Sequence, residues 1–279
     1  MALAAALLGL VVGSFLNVVI HRLPLMMERE WRAQCRELSG GDPQSRSDEP
    51  FNLAVPASRC PHCGHAIGAR DNIPVLSYLW LKGRCRTCGA AISRRYPLIE
   101  LATAAVSAAV AWHFGFTFEA GAALLLSWAL IALSVIDIDH QLLPDAITLP
   151  FLWLGLLLSL AGLFATPAAS ILGAAAGYLV LWSVYVLFKW TTGKEGMGYG
   201  DFKLLAMLGA WLGWQALPVV IIFSSLVGAV VGVGLIVLRG RDRSIPIPFG
   251  PYLAAAGWLA LLWGDELTGW YLRFSGMAV

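Results

Sequence analysis

The chain has 279 residues, of which 58% are hydrophobic and only 13% charged, with 12 tryptophans and 29 glycines. A soluble chain of this length needs far more charge to cover its surface, so the composition excludes an ordinary soluble domain and points to a polytopic membrane protein. The formal net charge of +2 excludes little; where the charges fall says more.

The first 20 residues, Met1 to Ile20, carry no charged side chain, and the first charges follow at His21-Arg22. A secretory signal peptide would open on a positive segment, so this is read as an anchor with its N-terminus outside. Span one is expected over about Leu3 to Ile20, followed by a polar segment, Arg22 to Pro97. Within it, Glu37 to Pro50 is rich in Ser, Gly, Asp and Pro and reads as a flexible loop. Span two is expected near Leu98 to Phe114, span three near Ala120 to Ile136, span four near Ala146 to Phe164 and span five near Ala168 to Phe188. The apolar stretch Phe202 to Leu238 is about 55 Å long as one helix, too long for one crossing. A break at Trp211 to Pro218 divides it into spans six and seven, six being short and partly re-entrant. Span eight is expected near Tyr252 to Trp263. The expected fold is therefore an all-α membrane bundle of about eight transmembrane helices.

Alternating these spans puts Arg22 to Pro97, Asp137 to Asp145, Lys189 to Asp201 and Arg239 to Gly250 on one side. Eighteen of the 19 Lys and Arg lie in or beside those loops, with Arg273 the exception. The positive-inside rule makes that side the cytoplasm.

The polar segment holds Cys60-Pro61-His62-Cys63 and, after 21 intervening residues, Cys85-Arg86-Thr87-Cys88. Two such knuckles suit tetrahedral zinc on four thiolates, a closed structural site with no position left for a reacting water. Gly64 and Gly89 follow the second cysteine of each knuckle, where the backbone turns tightly. Paired disulfides are the competing reading, and a cytoplasmic location disfavours them. His62 and His65 read as bystanders that could replace a ligand, and Cys35 as an ordinary thiol.

Two acidic residues lie where apolar spans meet short loops. Asp137 opens the run Asp137 to Asp145, and Asp201 closes Gly198-Tyr199-Gly200-Asp201. Carboxylates at membrane level are costly and mark function. Brought together, two of them give one proton donor and one base to activate water, the arrangement of aspartic proteases. Gly198 and Gly200 would let the backbone turn and approach a substrate strand. The alternatives are structural. Asp139 and Asp145 share the first loop, Asp145 is placed to N-cap span four, and Asp201 could cap span six. His140 reads as interfacial, and Glu100 as either an interface residue or a polar contact inside the bundle.

Taken together, these residues resemble the bacterial type IV prepilin peptidases, also called prepilin leader peptidase/N-methyltransferases. The likeness runs through Gly13 to Pro24, Ser58 to Pro61, Asn72-Ile73-Pro74, Lys82 to Cys85, Arg95 to Glu100, Asp137 to Asp145 and Gly198 to Asp201. It implies a membrane aspartic endopeptidase of the bacterial inner membrane, with catalytic residues Asp137 and Asp201 and the active-site loop Gly198, Tyr199 and Gly200. Asp137 is preferred to Asp139 because it lies seven residues before Pro144. The implied substrates are type IV prepilins or type II secretion pseudopilins, cut at the cytoplasmic face and then N-methylated with S-adenosylmethionine. Gly83 matches a glycine associated with methyl transfer. The implied division is a first helix (1–21), a zinc-binding, methyltransferase-associated region (22–97) and a peptidase domain (98–279). The bilayer is the other partner, and no nucleic acid is expected. The rival classes are a proton-coupled transporter, whose acids should lie near mid-bilayer, and a non-enzymatic assembly factor that docks through the zinc region.

Overall fold

The computed structural model describes residues 1–40, 50–194, 196–239 and 247–274. Among these the regular structure is all helical, relieved only by two isolated antiparallel bridges, Arg59 with Ala66 and Arg84 with Ala91. Most of the loop expected over Glu37 to Pro50 lies outside the described residues, as does residues 240–246 of the Arg239 to Gly250 connection. The chain forms two compact units, Met1–Phe116 and Thr117–Val279.

In the first unit, α1 (Ala2–Leu38) is one continuous helix that passes through Pro24. The sequence reading ended this helix near Ile20; the polar residues that follow extend it instead. Glu28, Arg32 and their neighbours are good helix formers, and Arg32 pairs with Glu28 one turn back at 2.5 Å. α1 packs on α3 (Arg95–Phe114). Gly9 and Gly13 make that approach possible. A Cβ on Gly9 would stand 2.6 Å from Ser107 Oγ, and one on Gly13 2.7 Å from Glu100 Cα. Asn17 extends the seam by donating to the Gly13 and Tyr96 carbonyls, each at 3.2 Å. Small residues and inter-helix hydrogen bonds of this kind hold helices together in lipid.

Buried Arg22 turns toward the returning chain. Its guanidinium donates to the carbonyls of Asn52 (3.0 Å), Leu53 (3.3 Å) and Pro56 (2.6 Å). Arg29 stacks 3.9 Å from the centroid of the Phe51 ring. A 3₁₀ turn (Ala69–Asn72) and the short α2 (Leu76–Trp80) follow.

The second unit comprises α4 (Phe118–His140), α5 (Asp145–Ser159), α6 (Pro167–Thr192), α7 (Tyr199–Leu212), α8 (Leu217–Arg239) and α9 (Gly250–Phe274). The expected break falls at Gly213, whose φ of +80° ends α7, and a 3₁₀ turn at Trp214–Ala216 leads into α8. At 14 residues α7 is about 21 Å long, short of a bilayer crossing. It is the core of this unit instead, with Phe202, Leu204 through Ala206, and Met207 through Trp211 all buried. α9 departs from helical geometry at Trp263 (φ −129°), where span eight was expected to end.

Among the described residues five helices are long and apolar enough to cross a membrane: α1, α3, α4, α6 and the stretch Trp214–Leu235 that is largely α8. The expected count of eight is not confirmed by these five. α7 is a buried helix of 14 residues, and α5, at 15, is also short but carries Trp153 and Leu157 exposed.

α7 is clamped against α6 by backbone contact. Gly173 and Gly209 face each other so closely that a Cβ on either would fall on the other's carbonyl oxygen. One turn along, a Cβ on Gly177 would stand 2.6 Å from the Leu205 carbonyl. Ser170 Oγ donates to the Ala210 carbonyl at 2.5 Å. On its other side, Trp211 Nε1 donates to the Phe151 carbonyl of α5 at 2.7 Å.

Candidate active site and metal centre

Several helix ends of the second unit meet at one place. Asp137 is in the last turn of α4, which Gln141 closes in the left-handed conformation (φ +52°). α5 begins at Asp145, α7 at Tyr199 and α9 at Gly250. Three helix N-termini, each carrying a partial positive charge, therefore lie near the acidic residues.

Asp137 and Asp201 are both buried, at 5% and 8% exposure, whereas Asp139 is exposed. Asp137 Oδ2 accepts the backbone N–H of Gly250 at 3.0 Å. A Cβ on Gly250 would stand 2.7 Å from that oxygen, so only glycine allows the approach. Asp201 is the third residue of α7, and its carboxylate is faced by the amide of Gly198, the residue that caps the helix. A carboxylate at this position reaching back to the cap amide is the acidic half of a capping box. The two carboxyl groups are within electrostatic reach, the charge of Asp137 acting on Asp201.

The loop glycines work differently from expectation. Neither Gly198 nor Gly200 has a positive φ, so the turn itself does not require them. Gly200 is required by packing, since a Cβ there would stand 2.8 Å from Leu143 Cβ. Leu143 also lies 3.1 Å from where a Gly250 Cβ would be, so it wedges between the two halves of the site. Gly198 leaves open the space beside Asp201, whose Oδ2 is 3.9 Å from the missing Cβ. Tyr199 joins an aromatic cluster with Phe202 (5.5 Å) and with Tyr185 of α6 (5.3 Å).

Asp145 does not cap α5. It is that helix's first residue, its side chain makes no cap bond, and it pairs with Lys203 of α7 at 2.6 Å. Helix α5 starts one residue earlier than expected, which frees this carboxylate for the ion pair. Sequence reasoning missed Gly250. The signal available was Gly250-Pro251, since proline in a first turn marks a helix start.

In the first unit the sulfur atoms of Cys60, Cys63, Cys85 and Cys88 all lie within 4.8 Å of one another. Cys60 and Cys88 sulfurs are 3.9 Å apart, and none of the four is in a disulfide. A tetrahedron of thiolates at about 2.3 Å from zinc has edges of about 3.8 Å, so the donor set fits a metal ion. His62 and His65 are not part of the cluster.

The two knuckles share one design. Gly64 N–H returns to the Cys60 carbonyl and Gly89 N–H to the Cys85 carbonyl, each at 2.9 Å. Both glycines have positive φ (+68° and +72°), which other residues adopt only with strain. The backbone N–H groups of Cys88 and Thr87 pull the Cys85 thiol down to about 6, while burial and the neighbouring sulfurs push Cys88 up to about 11 against the Ala90 N–H, so without a metal the cluster favours one thiolate over the other. Arg86 forks onto Asp71 (2.5 Å) and holds that carboxyl below its usual range, joining the 3₁₀ turn to the second knuckle.

Gly83 sits at φ +67°, and a Cβ there would stand 2.9 Å from Tyr78 Oη. Tyr78 thus fills the space that a side chain would take. Gly83 shapes the turn entering the second knuckle, where its carbonyl accepts Ile92 N–H at 2.7 Å. Glu100 is resolved as an interior polar contact. It is buried, and its Oε2 accepts the N–H of Val75 at 2.8 Å. Val75 is a β-branched residue at φ +59°, the centre of a tight turn closed by Leu76 N–H on the Pro74 carbonyl at 2.5 Å. Such a turn is strained, and the buried carboxylate holds it.

The chain matches two family profiles. Residues 7–114 match the bacterial peptidase A24 N-terminal domain, and residues 124–233 the type IV leader peptidase family. The gap between them contains the boundary between the compact units. The prepilin leader peptidase/N-methyltransferase of Pseudomonas aeruginosa is 62% identical over 274 residues, covering 98% of this chain and 94% of the relative. Proteins of the same name from Aeromonas hydrophila (62% identical; 95% and 92% covered) and Dichelobacter nodosus (53%; 94% and 91%) are also similar. No solved structure matches the chain. With identity this high over nearly the full length of both partners, the chain belongs to the type IV leader peptidase family.

Proposed function

We propose that this chain cuts the leader peptide from type IV prepilins, or from the pilin-like subunits of type II secretion, and then N-methylates the new N-terminus. The observation that carries the reading is the meeting of two buried carboxyl groups, Asp137 and Asp201, at one end of the second unit. In the working form the pair holds one proton. The ionised carboxylate takes a proton from water, whose oxygen attacks the scissile carbonyl, while the protonated partner donates to the carbonyl oxygen. The tetrahedral intermediate then collapses, and a proton passes to the leaving amine. Gly250 N–H holds the Asp137 carboxyl by one oxygen and leaves the other free for this work. A transporter's acids should lie at mid-helix depth; these lie in a last turn and a first turn.

The charge distribution supports a cytoplasmic side for the aspartates and the cysteine region, and the bacterial relatives support the inner membrane. The methyl donor is S-adenosylmethionine, which supplies an activated methyl group to the amine freed by cleavage. The region around Gly83 contributes to that step by shape. Incubating the purified chain with a prepilin in detergent, with and without S-adenosylmethionine, and reading product masses tests both activities. The expected products are leaderless pilin without the donor and leaderless, methylated pilin with it; full-length pilin in both arms would refute the reading. Gly83→Leu is expected to give cut but poorly methylated product, because it breaks the turn against Tyr78 and leaves the second unit intact.

The metal is zinc in a structural role, held by Cys60, Cys63, Cys85 and Cys88. Metal analysis of the purified chain is expected to find one zinc per molecule, falling to near zero after Cys60→Ser with Cys85→Ser. Full occupancy in the double variant would show that these sulfurs are not the ligands.

A further inference from the structure

Helix α2 turns an apolar face outward. Leu76, Leu79 and Trp80, at i, i+3 and i+4, share one side of the helix and are 63%, 64% and 75% exposed. Exposed Ile73 extends that face just ahead of the helix. Tyr78 points the other way and fills the space beside Gly83, at the entry to the second knuckle. A cluster of exposed large apolar side chains in an otherwise polar region marks a surface that is covered by something.

Two hydrogen bonds fix the height of this face along the apolar helices of the first unit. Glu100 Oε2 accepts the N–H of Val75, the residue before α2, at 2.8 Å. Glu100 is the sixth residue of α3, about 7–8 Å along that helix from Arg95. Asn17 of α1 donates to the Tyr96 carbonyl at 3.2 Å, so the opening turn of α3 lies beside a part of α1 that is still free of charge, the run from Met1 to Ile20. α2 therefore begins level with the ends of two helices that are long and apolar enough to cross a membrane. Leu98 and Leu101, exposed on α3, share this level. An interfacial helix buries its apolar face about 5–10 Å into the boundary between headgroups and acyl chains, which is the depth these two bonds set.

The charges beside the face are of one sign. From Asn72 to Ile99 the chain holds Lys82, Arg84, Arg86, Arg94 and Arg95 and no acidic residue. Lys82 ends the turn that closes α2, its N–H on the Leu79 carbonyl at 3.1 Å. The bond from Ile92 N–H to the Gly83 carbonyl brings the chain back beside that turn two residues before Arg94. Lys82, Arg94 and Arg95 are all exposed. A tryptophan ring at the level of the headgroups, with long basic side chains reaching their phosphates, is the composition of a surface that rests on anionic lipid.

We propose that Ile73, Leu76, Leu79 and Trp80 insert into the headgroup–acyl boundary of an anionic bilayer and moor the cysteine region to the membrane surface. The occupant follows from height and charge: the medium around the first turns of a membrane-crossing helix is lipid, and the flanking cations complement its phosphates. Through Tyr78 and Gly83 the same short helix then holds the second knuckle against the membrane. The inference is independent of the catalytic reading.

The test uses full-length protein in vesicles of phosphatidylethanolamine and phosphatidylglycerol with a trace of phosphatidylcholine that carries a diazirine near the glycerol end of one acyl chain. After photolysis and digestion, mass spectrometry maps the lipid adducts. Adducts are expected on residues 73–80 at a yield comparable to that at Leu98 and Leu101. Leu38, also exposed but about 27 Å beyond Ile20 along α1, is expected to carry none. Leu79→Glu combined with Trp80→Glu, both on exposed positions, is expected to remove the adducts from residues 73–80 and leave those on α3 unchanged. The native arm decides alone if that variant does not fold. Labelling of α3 with none on residues 73–80 overturns the proposal, whether water or a protein such as a prepilin covers the face. Undiminished labelling of this segment in the folded glutamate variant overturns it too, since its lipid contact would then not depend on the apolar face.

Discussion

Asp137→Asn and Asp201→Asn are each expected to reduce leader cleavage by at least about 10²–10⁴-fold, the range associated with losing a positioned acid or base, while Asp139→Asn keeps most of the native rate. Asparagine matches the shape of aspartate and can still accept the Gly250 or Gly198 amide, so the helix ends should stay in place. What it cannot do is carry the proton. The contrast with Asp139 follows from burial. Asp137 is enclosed and hydrogen-bonded to the first residue of α9, whereas Asp139, two residues on, faces outward. Single-turnover cleavage of a prepilin by the three variants, each checked for membrane insertion, reads this directly. An active Asp137→Asn beside an inactive Asp139→Asn would reassign the first carboxylate.

Gly173→Leu is expected to abolish cleavage by a wholly different route, although residue 173 is one of the small residues of α6 and carries no chemistry. Its Cβ would fall on the carbonyl oxygen of Gly209, and Gly209 is equally close to Gly173. Neither side has a rotamer that can move aside, since the obstruction is backbone on both helices. Overpacking of an ordinary core costs about 1–3 kcal/mol, and a backbone-to-backbone seam yields less than an ordinary core does. α7 must therefore shift away from α6, taking Asp201 with it, and a displacement of about 1 Å at a reacting group costs about 10²-fold in rate. Gly121→Leu is the matched comparison. Gly121 lies on α4 of the same unit with nothing within 4 Å of its would-be Cβ, and this variant should retain cleavage and native protease resistance. Equal behaviour of the two variants in limited proteolysis and cleavage would show that the α6–α7 seam does not position the site.

Some of this was legible in the sequence because chemistry fixes spacing. Four thiolates can surround one ion only if each knuckle presents two of them in register, so Cys-Xaa-Xaa-Cys twice over, each followed by glycine, admits few structural meanings. Asp137 and Asp201 stood out because a charge at the end of an apolar stretch is expensive. Gly250 was opaque for the opposite reason. It contributes a backbone amide, common to every residue but proline, from a helix 113 positions beyond the aspartate it serves. The continuation of α1 past Ile20 was hidden by reading polarity as the end of a helix, when Glu28 and Arg32 instead support it as a pair one turn apart. The brevity of α7 was hidden too, because a hydropathy profile does not distinguish a lipid-facing helix from one enclosed by protein.

Arg22 bears on how the cysteine region would behave without a bound ion. The guanidinium fastens the carbonyls of Asn52, Leu53 and Pro56 on one side of the knuckles, and Glu100 fastens Val75 between them. Neither attachment involves a sulfur atom. The first knuckle is therefore a short loop pinned at both ends to helices α1 and α3, and closing a loop already pinned costs little entropy. Chelation then frays a tethered segment instead of releasing a domain, and reloading is a local search by four thiols that have never drifted far apart.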